Sequence, residues 1–228
     1  MNPAMILTHL NPAHRFIVFD GNEGCGKSTQ IKLLHDHLER TGVNIMMVRD
    51  PGTTRVGEMV RHILLDPENT DMAMRCEMLL YMAARAQMMR QTILPALESG
   101  KTVLSDRFVS STLAYQIGGD GLTAEQIKAV GEVAIGGRWP DLTIILDLPV
   151  AISRDRVQAK FQTKTLFGTD SRQPTKDRIE LRPVEYHEKV RTHFLEQAQA
   201  DPARYRVIDA SRSPEAIHAD VIRAIESA

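Results

Sequence analysis

Apolar residues along this 228-residue chain follow two alternating patterns. Short, nearly unbroken apolar runs are typical of strands buried in a parallel sheet, and they predict strands at Phe16–Phe19, Asn44–Val48, Thr102–Ser105, Leu142–Leu146 and Tyr205–Ile208. Between these runs, apolar residues recur three and four positions apart, as in helices that bury one face. This spacing predicts a helix whose apolar face is Ile31, Leu33, Leu34 and Leu38. It predicts further helices over Thr54–Leu65, Met72–Leu97, Val109–Gln116, Thr123–Ile135, Val150–Phe161, Val184–Gln199 and Pro214–Ile225.

Strands that alternate with helices predict an α/β fold, in which helices cover both faces of a parallel sheet. Ligands of such folds bind at the carboxyl ends of the strands. Three turns with candidate chemistry fall at such ends: Gly21–Ser28, Arg49–Gly52 and the pair Asp106-Arg107. We therefore expect one surface of the sheet to carry the chemistry.

Composition narrows the class of protein. A net charge of −1 gives no sign of a polybasic surface for nucleic acid or a membrane. Two cysteines cannot form a disulfide framework, so a reducing cytoplasm is expected. No apolar run is long enough to span a bilayer, and residues 1–14 lack the pattern of a signal peptide. We expect residues 1–14 to be a short extension and 15–228 to form one domain.

The segment Gly21–Ser28 matches the phosphate-binding loop G-x-x-x-x-G-K-[ST], between a predicted strand and a predicted helix. Its glycines let backbone N–H groups converge on phosphate oxygens at a helix N-terminus. Lys27 is expected to reach the β- and γ-phosphates, and the Ser28 hydroxyl to help hold Mg²⁺. The motif predicts a nucleoside triphosphate site formed by Gly21, Asn22, Glu23, Gly24, Cys25, Gly26, Lys27, Ser28 and Thr29.

Other motifs indicate which kind of phosphate-loop protein this is. The Asn-Lys-x-Asp motif of GTPase switches is missing, as is a strand ending in Asp-Glu, which is typical of motor and AAA-type ATPases. Instead, Arg107 directly follows a buried strand, and a basic segment occurs late in the chain. That combination favours an enzyme whose second substrate also carries a phosphate.

Longer motifs resemble those of bacterial thymidylate kinases. They occur in family order from about Arg15 to the end of the chain, and they are Phe19–Thr29, Arg49–Gly52, Ser105–Gln116, Pro140–Asp147, Asp177–Glu180 and Ile208–Ala210. The resemblance implies a P-loop nucleoside-monophosphate-kinase fold with a five-stranded parallel sheet and a mobile lid over about 154–178. It also implies transfer of the γ-phosphoryl group of ATP to dTMP, with Mg²⁺ as cofactor and a homodimer as assembly.

The resemblance further implies roles for individual residues. Arg107 would grip the acceptor phosphate, and Asp106 would orient that arginine or the metal shell, although the pair could also be a buried ion pair capping a strand. Glu23 would contact the 3′-hydroxyl of the acceptor sugar. The implied dTMP site comprises Glu23, Asp50, Pro51, Tyr81, Arg85, Arg107, Ser111, Thr112, Tyr115, Gln116 and Glu180, and the implied metal site Ser28 and Asp106.

Within that site, Tyr81 and Arg85 lie four residues apart and so share one helical face. The family places an aromatic ring there against thymine, usually Phe, and an arginine on the carbonyl edge of the base. Without the resemblance, Tyr81 would be interpreted as a core residue. Tyr115 matches the ring that lies near the 2′ carbon of the sugar.

Cys25 stands where one branch of the family carries an arginine, so the transferred phosphate must be neutralised from elsewhere. The candidates are the basic residues of the lid, among which Arg156 and Arg178 are predicted to be catalytic; the segment also contains Arg154, Lys160, Lys164, Arg172 and Lys176. Cys25 itself lies among amides at a helix start, a setting that favours a thiolate.

Two features depart from family or motif patterns. Thr53 and Arg55 replace the glycine and proline common after Asp50-Pro51-Gly52, which leaves the approach of this loop to the acceptor phosphate open. His187 and His193 are six residues apart and point to different helix faces, so no zinc site is predicted.

Two alternatives stay open at this stage. One is a kinase of another nucleoside monophosphate or of a deoxynucleoside. The other is a nucleotide-binding module without catalysis.

Overall fold

The computed structural model describes residues 15–166 and 177–227, with side chains up to residue 159 in the first range. Five parallel strands form one sheet in the order β2-β3-β1-β4-β5. The strands are β1 (Phe16–Asp20), β2 (Ile45–Arg49), β3 (Thr102–Asp106), β4 (Leu142–Asp147) and β5 (Tyr205–Asp209). The predicted α/β fold and its five strands are confirmed.

Helices cover both faces of this sheet. They are α1 (Lys27–Arg40), α2 (Arg55–Leu65), α3 (Met74–Met88), α4 (Leu94–Glu98), α5 (Val109–Tyr115), α6 (Ala124–Ile135), α7 (Val150–Leu166), α8 (Val184–Ala200) and α9 (Pro214–Glu226). A single 3₁₀ turn, Gly119–Gly121, precedes α6.

Two helix predictions differ from the structure, one by an internal π turn and one at its end. The long helix predicted over Met72–Leu97 is interrupted by a π turn at Met89–Ile93, where the Leu94 N–H bonds to the Met89 carbonyl. Pro95 follows immediately, and a wider turn accommodates a proline ring that would clash with a regular helix. Helix α7 runs to Leu166, beyond the predicted end at Phe161, because no glycine or proline interrupts it before Gly168.

Strand β1 is buried on both faces. Ile17 and Phe19 pack against α1 and α9, whereas Phe16 and Val18 pack against α3, α5 and α6 on the other face. Each of these four side chains is fully buried, which contributes about 1.5–3 kcal/mol per residue relative to exposure. The carboxyl end of β1, where the phosphate loop begins, is therefore held from both sides.

The register of the sheet brings the functional turns together. Asp106 at the end of β3 pairs with Phe19 of β1 and with Arg49 of β2. On the other side, Asp20 pairs with Ile145 of β4. The three turns singled out in the sequence thus meet at one edge of the sheet. In the described part of the chain, no helix combines the length and apolar character needed to cross a membrane.

Candidate active site

The phosphate loop connects β1 to α1. Gly26 caps the N-terminus of α1 at φ 99°, a conformation that favours glycine. A Cβ at Gly21 would lie 2.5 Å from the carbonyl oxygen of Leu146, so the loop packs tightly on β4. The Nζ of Lys27 folds inward and donates to the carbonyls of Gly21 and Asn22 at 3.1 and 2.9 Å. The loop therefore presents the N-terminus of a helix and a preorganised lysine.

A cavity of about 1170 Å³ opens over this loop. Six predicted nucleotide residues border it, and its lining comprises Glu23, Gly24, Gly26, Lys27, Ser28, Thr29, Arg49, Asp50, Arg61, Asp106, Arg107 and Arg156. Within it, the Ser28 hydroxyl donates to Oδ2 of Asp106 at 3.3 Å. A hydroxyl and a carboxylate this close offer the oxygen ligands that Mg²⁺ prefers.

Cys25 does not behave as the sequence indicated. Its side chain is fully buried in the core cluster beneath the loop, and burial raises the pKa of its thiol despite the nearby positive charges of Lys27 and Arg107. The expectation of a thiolate is therefore wrong, because burial in the apolar core outweighs the backbone hydrogen bond that Lys27 donates to the sulfur. Cys76, in contrast, is exposed.

A second cavity of about 520 Å³ lies beside the first. It is bordered by all but one of the residues predicted to bind the acceptor: Glu23, Asp50, Pro51, Tyr81, Arg85, Arg107, Ser111, Thr112, Tyr115 and Gln116. The exception is Glu180, which lines a neighbouring cavity together with Glu23. The carboxylate of Glu180 accepts from the Asp177 N–H at 3.2 Å, within a turn at the start of that segment.

Arg107 lies where the two cavities meet. Its backbone has φ 69°, in the left-handed region that is unfavourable for arginine. Two hydrogen bonds hold this conformation: the Arg107 N–H donates to Phe19 O at 2.9 Å, and Ser105 Oγ donates to Arg107 O at 2.6 Å. The strained turn aims the guanidinium across the end of β1 instead of along β3.

Asp20 anchors that guanidinium. Oδ1 of Asp20 accepts from Arg107 Nη1 at 3.3 Å and from Ser111 Oγ at 2.6 Å, and Oδ2 accepts from Ser110 Oγ at 2.6 Å. Burial raises the pKa of this carboxyl, whereas Arg107 and the two hydroxyls counteract the rise. With donors on both oxygens, the geometry fits an ionised carboxylate.

The resemblance assigned the orienting role to Asp106 as one option. Here the Asp106 carboxylate bonds to Ser28, and Asp20 holds the arginine. Sequence reasoning missed Asp20, although its place at the end of a buried strand beside the phosphate loop was a usable signal.

Glu23 approaches Arg107 from the other side. Its Oε1 accepts from Arg107 Nη2, which also donates to the Tyr115 hydroxyl at 3.3 Å. Partial burial alone would raise the pKa of Glu23, but the charges of Arg107 and Lys27 lower it to about 2. Glu23 is therefore ionised at neutral pH, and its side chain remains 41% exposed at the mouth of the cavity.

Arg85 forms a buried wall of the second cavity. Its Nε donates to Asp50 Oδ2 at 2.5 Å, and its Nη2 donates to Phe108 O and Thr112 Oγ1 at 3.1 and 3.2 Å. One turn earlier on α3, the half-buried ring of Tyr81 borders the same cavity. The helix thus presents an aromatic face and a fixed guanidinium to one small pocket.

The two predicted lid arginines lie in different places. Arg156 borders the phosphate-loop cavity and donates from Nη1 to Ala210 O at 3.0 Å. Arg178 is buried away from that cavity: it donates to Leu64 O at 3.1 Å and pairs with the buried carboxylate of Glu77. The Arg178 charge is paired in the interior in this structure, and the predicted catalytic role of Arg178 stays a prediction.

Of the other basic residues in that segment, the structure describes the side chain of Arg154. Arg154 lines the cavity that contains Glu180. The side chains of Lys160 and Lys164, and all of Arg172 and Lys176, lie outside the described residues.

Besides Asp20, Arg61 and Asp177 also escaped the sequence analysis. Arg61 of α2 borders both cavities and donates to Pro51 O at 3.1 Å. Asp177 borders the second cavity, whereas its neighbour Arg178 pairs with Glu77 in the interior. The position of Arg61 two turns into the helix that follows the Asp50 loop was a signal that could have identified it.

Thr53 closes the Asp50 loop in a strained conformation, with φ 67°. Its hydroxyl accepts from the Arg49 N–H at 2.8 Å and donates to Arg49 O at 3.1 Å, and its own N–H donates to Glu58 at 2.9 Å. These bonds explain how a threonine occupies a position that favours glycine. Arg55 is exposed at the start of α2.

A phosphate loop on a five-stranded parallel sheet, with a second pocket separated from it by a partly buried arginine, defines a phosphotransferase of the nucleoside-monophosphate-kinase class. The sequence profile described as "Thymidylate kinase" matches residues 19–221. The chain is 45% identical over 212 residues to a thymidylate kinase from Pelotomaculum thermopropionicum, covering 93% of each chain. It is 41% identical to one from Caldanaerobacter subterraneus, covering 93% of this chain and 95% of the relative.

A solved structure agrees with these sequence matches. The crystal structure of thymidylate kinase from Ehrlichia chaffeensis superposes with a TM-score of 0.71 and 29% identity, covering 92% of this chain and 97% of that one. The chain belongs to the thymidylate kinase family.

The contrast between the two cysteines predicts their reactivity. In the native protein, a thiol reagent such as DTNB should modify one thiol quickly, and Cys76→Ser should abolish that reaction. Cys25 should react only on unfolding, because it is buried and its thiol pKa is raised. Rapid modification of Cys25 in the native Cys76→Ser variant would contradict this placement.

Substitutions at Thr53 should separate backbone strain from hydrogen bonding. Thr53→Ala loses the hydroxyl bonds and keeps the strained φ, so urea unfolding should show a loss of about 1 kcal/mol. Thr53→Gly loses the same bonds but relieves a strain of about 1 kcal/mol, so its free energy of unfolding should stay within about 0.5 kcal/mol of wild type. Equal losses in both variants would show that no strain is stored there.

Proposed function

We propose that the smaller cavity holds dTMP with its phosphate on Arg107, while the phosphate loop holds Mg-ATP. The activity follows from family membership: the chain is an ATP-dependent dTMP kinase that transfers the γ-phosphoryl group of ATP to dTMP and forms dTDP. The assignment of residues to each substrate is our proposal.

One observation carries this assignment: the two cavities share Glu23, Asp50, Arg61 and Arg107 along their boundary. A phosphate bound at this boundary would face the γ-phosphate held by the loop. A planar guanidinium suits an oxyanion there, because it can donate two parallel hydrogen bonds. Phosphoryl transfer depends on this kind of alignment and charge neutralisation.

The remaining residues would complete the reaction. Lys27 and the amides of Gly24–Ser28 would hold the donor phosphates, and Arg156, on the rim of the same cavity, would approach the transferred group. Ser28 and Asp106 would hold Mg²⁺, which when bound neutralises charge on the donor phosphates. Glu23 would accept a hydrogen bond from the 3′-hydroxyl of the acceptor sugar.

The base would lie on the Tyr81 ring, with its carbonyl edge toward Arg85 and its other edge toward Thr112 and Gln116. Stacking on an aromatic ring contributes about 0.5–1.5 kcal/mol beyond area burial. Tyr115 would stand beside the sugar, where a ribose 2′-hydroxyl is disfavoured. The lid would comprise about 154–178, of which 167–176 lie outside the described residues.

A homodimer in the cytoplasm is also part of the proposal. Helices α2 and α3 pack together, and their outer faces expose Val56, Met59, Ile63 and Leu79. Three of these lie at i, i+3 and i+7 on α2 and so form one apolar stripe. Such a stripe fits a self-complementary two-fold interface.

The acceptor assignment is tested by ADP release with Mg-ATP and a panel of dTMP, dUMP, dCMP, dGMP, UMP and thymidine. We expect dTMP to be the best acceptor. Arg107→Lys should lower kcat/KM for dTMP about a hundredfold, because a lysine cannot form the paired hydrogen bonds.

Thymidine provides the control for that variant, since it has no phosphate for Arg107 to hold. Its binding should be the same in wild type and Arg107→Lys. An Arg107→Lys enzyme with normal kcat/KM for dTMP would exclude Arg107 as the phosphate ligand.

The interface is tested by the mass of the particle in solution. Met59→Glu places a charge in the centre of the apolar stripe, so light scattering should find a dimer in wild type and a monomer in the variant. Arg55→Glu, exposed at the start of the same helix, is the matched control and should remain a dimer. A monomeric wild-type protein would contradict the proposed homodimer.

A further inference from the structure

Glu77 is a fully buried acid on α3 that the reaction does not use. Its Oε1 accepts from Gln116 Nε2 at 2.6 Å, and its Oε2 accepts from Arg182 Nη2 at 2.6 Å and from Arg178 Nη2. Two guanidinium groups compensate one carboxylate, so an ionised Glu77 is well stabilised in the interior. The side chain lies one turn before Tyr81 on the same helix.

The ionised state of Glu77 determines the orientation of the Gln116 amide. A carboxylate only accepts hydrogen bonds, so the group that Gln116 presents to it must be the NH₂. The amide oxygen is then left for the other side. Gln116 borders the acceptor cavity with Tyr81 and Thr112, so that other side is the base pocket.

We propose that Glu77 is a positioning residue that makes Gln116 present a hydrogen-bond acceptor to the base. This inference rests on the proposed dTMP site. Thymine and uracil carry an N3–H that donates to such an oxygen. Cytosine carries an unprotonated N3, which would face the oxygen as a second acceptor and leave both groups unpaired, a costly arrangement in a buried pocket.

The variant Glu77→Gln tests the positioning role. A glutamine of the same size can donate or accept, so it no longer fixes the Gln116 amide, which becomes free to turn its NH₂ toward the base. We expect the ratio of kcat/KM for dTMP to that for dCMP to fall at least tenfold. The ratio of dTMP to dUMP should not change, because these bases differ only in the methyl group and share N3–H.

Arg182→Met is the matched control, because it removes one partner of Glu77 but leaves Arg178 and Gln116 in place. It should lower the melting temperature without changing the dTMP to dCMP ratio. If Glu77 had only a structural role, Glu77→Gln would slow all acceptors equally, and an unchanged dTMP to dCMP ratio in that variant would overturn the proposal.

A second variant keeps the test decisive if Glu77→Gln does not fold. Gln116→Leu removes the acceptor oxygen and leaves Glu77 with its two arginines, so the dTMP to dCMP ratio should again fall about tenfold. Retention of the wild-type ratio by Gln116→Leu would overturn the proposal. Failure of the wild-type enzyme to phosphorylate dTMP would instead reject the proposed function, so the two failures are distinguishable.

Discussion

The site depends on one buried ion pair, between Asp20 at the end of β1 and Arg107 after β3. The Arg107 guanidinium lies beside two cavities, and among its partners Asp20 is the acid with no exposure to solvent. Ser110 and Ser111 satisfy the remaining lone pairs of the carboxylate, which makes a buried charge pair tolerable. These hydrogen bonds offset the free energy lost when the Asp20 carboxylate leaves water, and the same arrangement directs the Arg107 guanidinium to the boundary between the cavities.

The fold supplies that geometry because β1 is buried on both faces. The core contacts of β1 fix the position of Asp20 at its end, and they also fix the position at which the phosphate loop begins. The left-handed φ of Arg107 is a local strain that this rigid part of the sheet can hold. The two cavities proposed for donor and acceptor therefore have a fixed spacing, and phosphoryl transfer requires such alignment of its substrates.

The sequence analysis identified the strands, the phosphate loop and nearly all residues of the cavity proposed for the acceptor. These features could be predicted because the spacing of apolar residues, the positions of glycines and the family motifs are local signals. It did not predict the direction in which individual side chains point. Cys25 and Arg178 point into the interior, and consecutive residues such as Asp177 and Arg178 face opposite sides of one turn. The roles of Asp20 and Glu77 come from contacts made across long sequence separations, which no local pattern reveals.

The most direct measurement is calorimetric binding of dTMP and of thymidine to wild type and to Asp20→Asn. If Asp20 holds Arg107 for the acceptor phosphate, wild type binds dTMP far more tightly than thymidine, and the substitution narrows that gap at least tenfold by weakening dTMP alone. An Asp20→Asn protein that folds and keeps the full gap would contradict the account, since Arg107 would then need no buried partner.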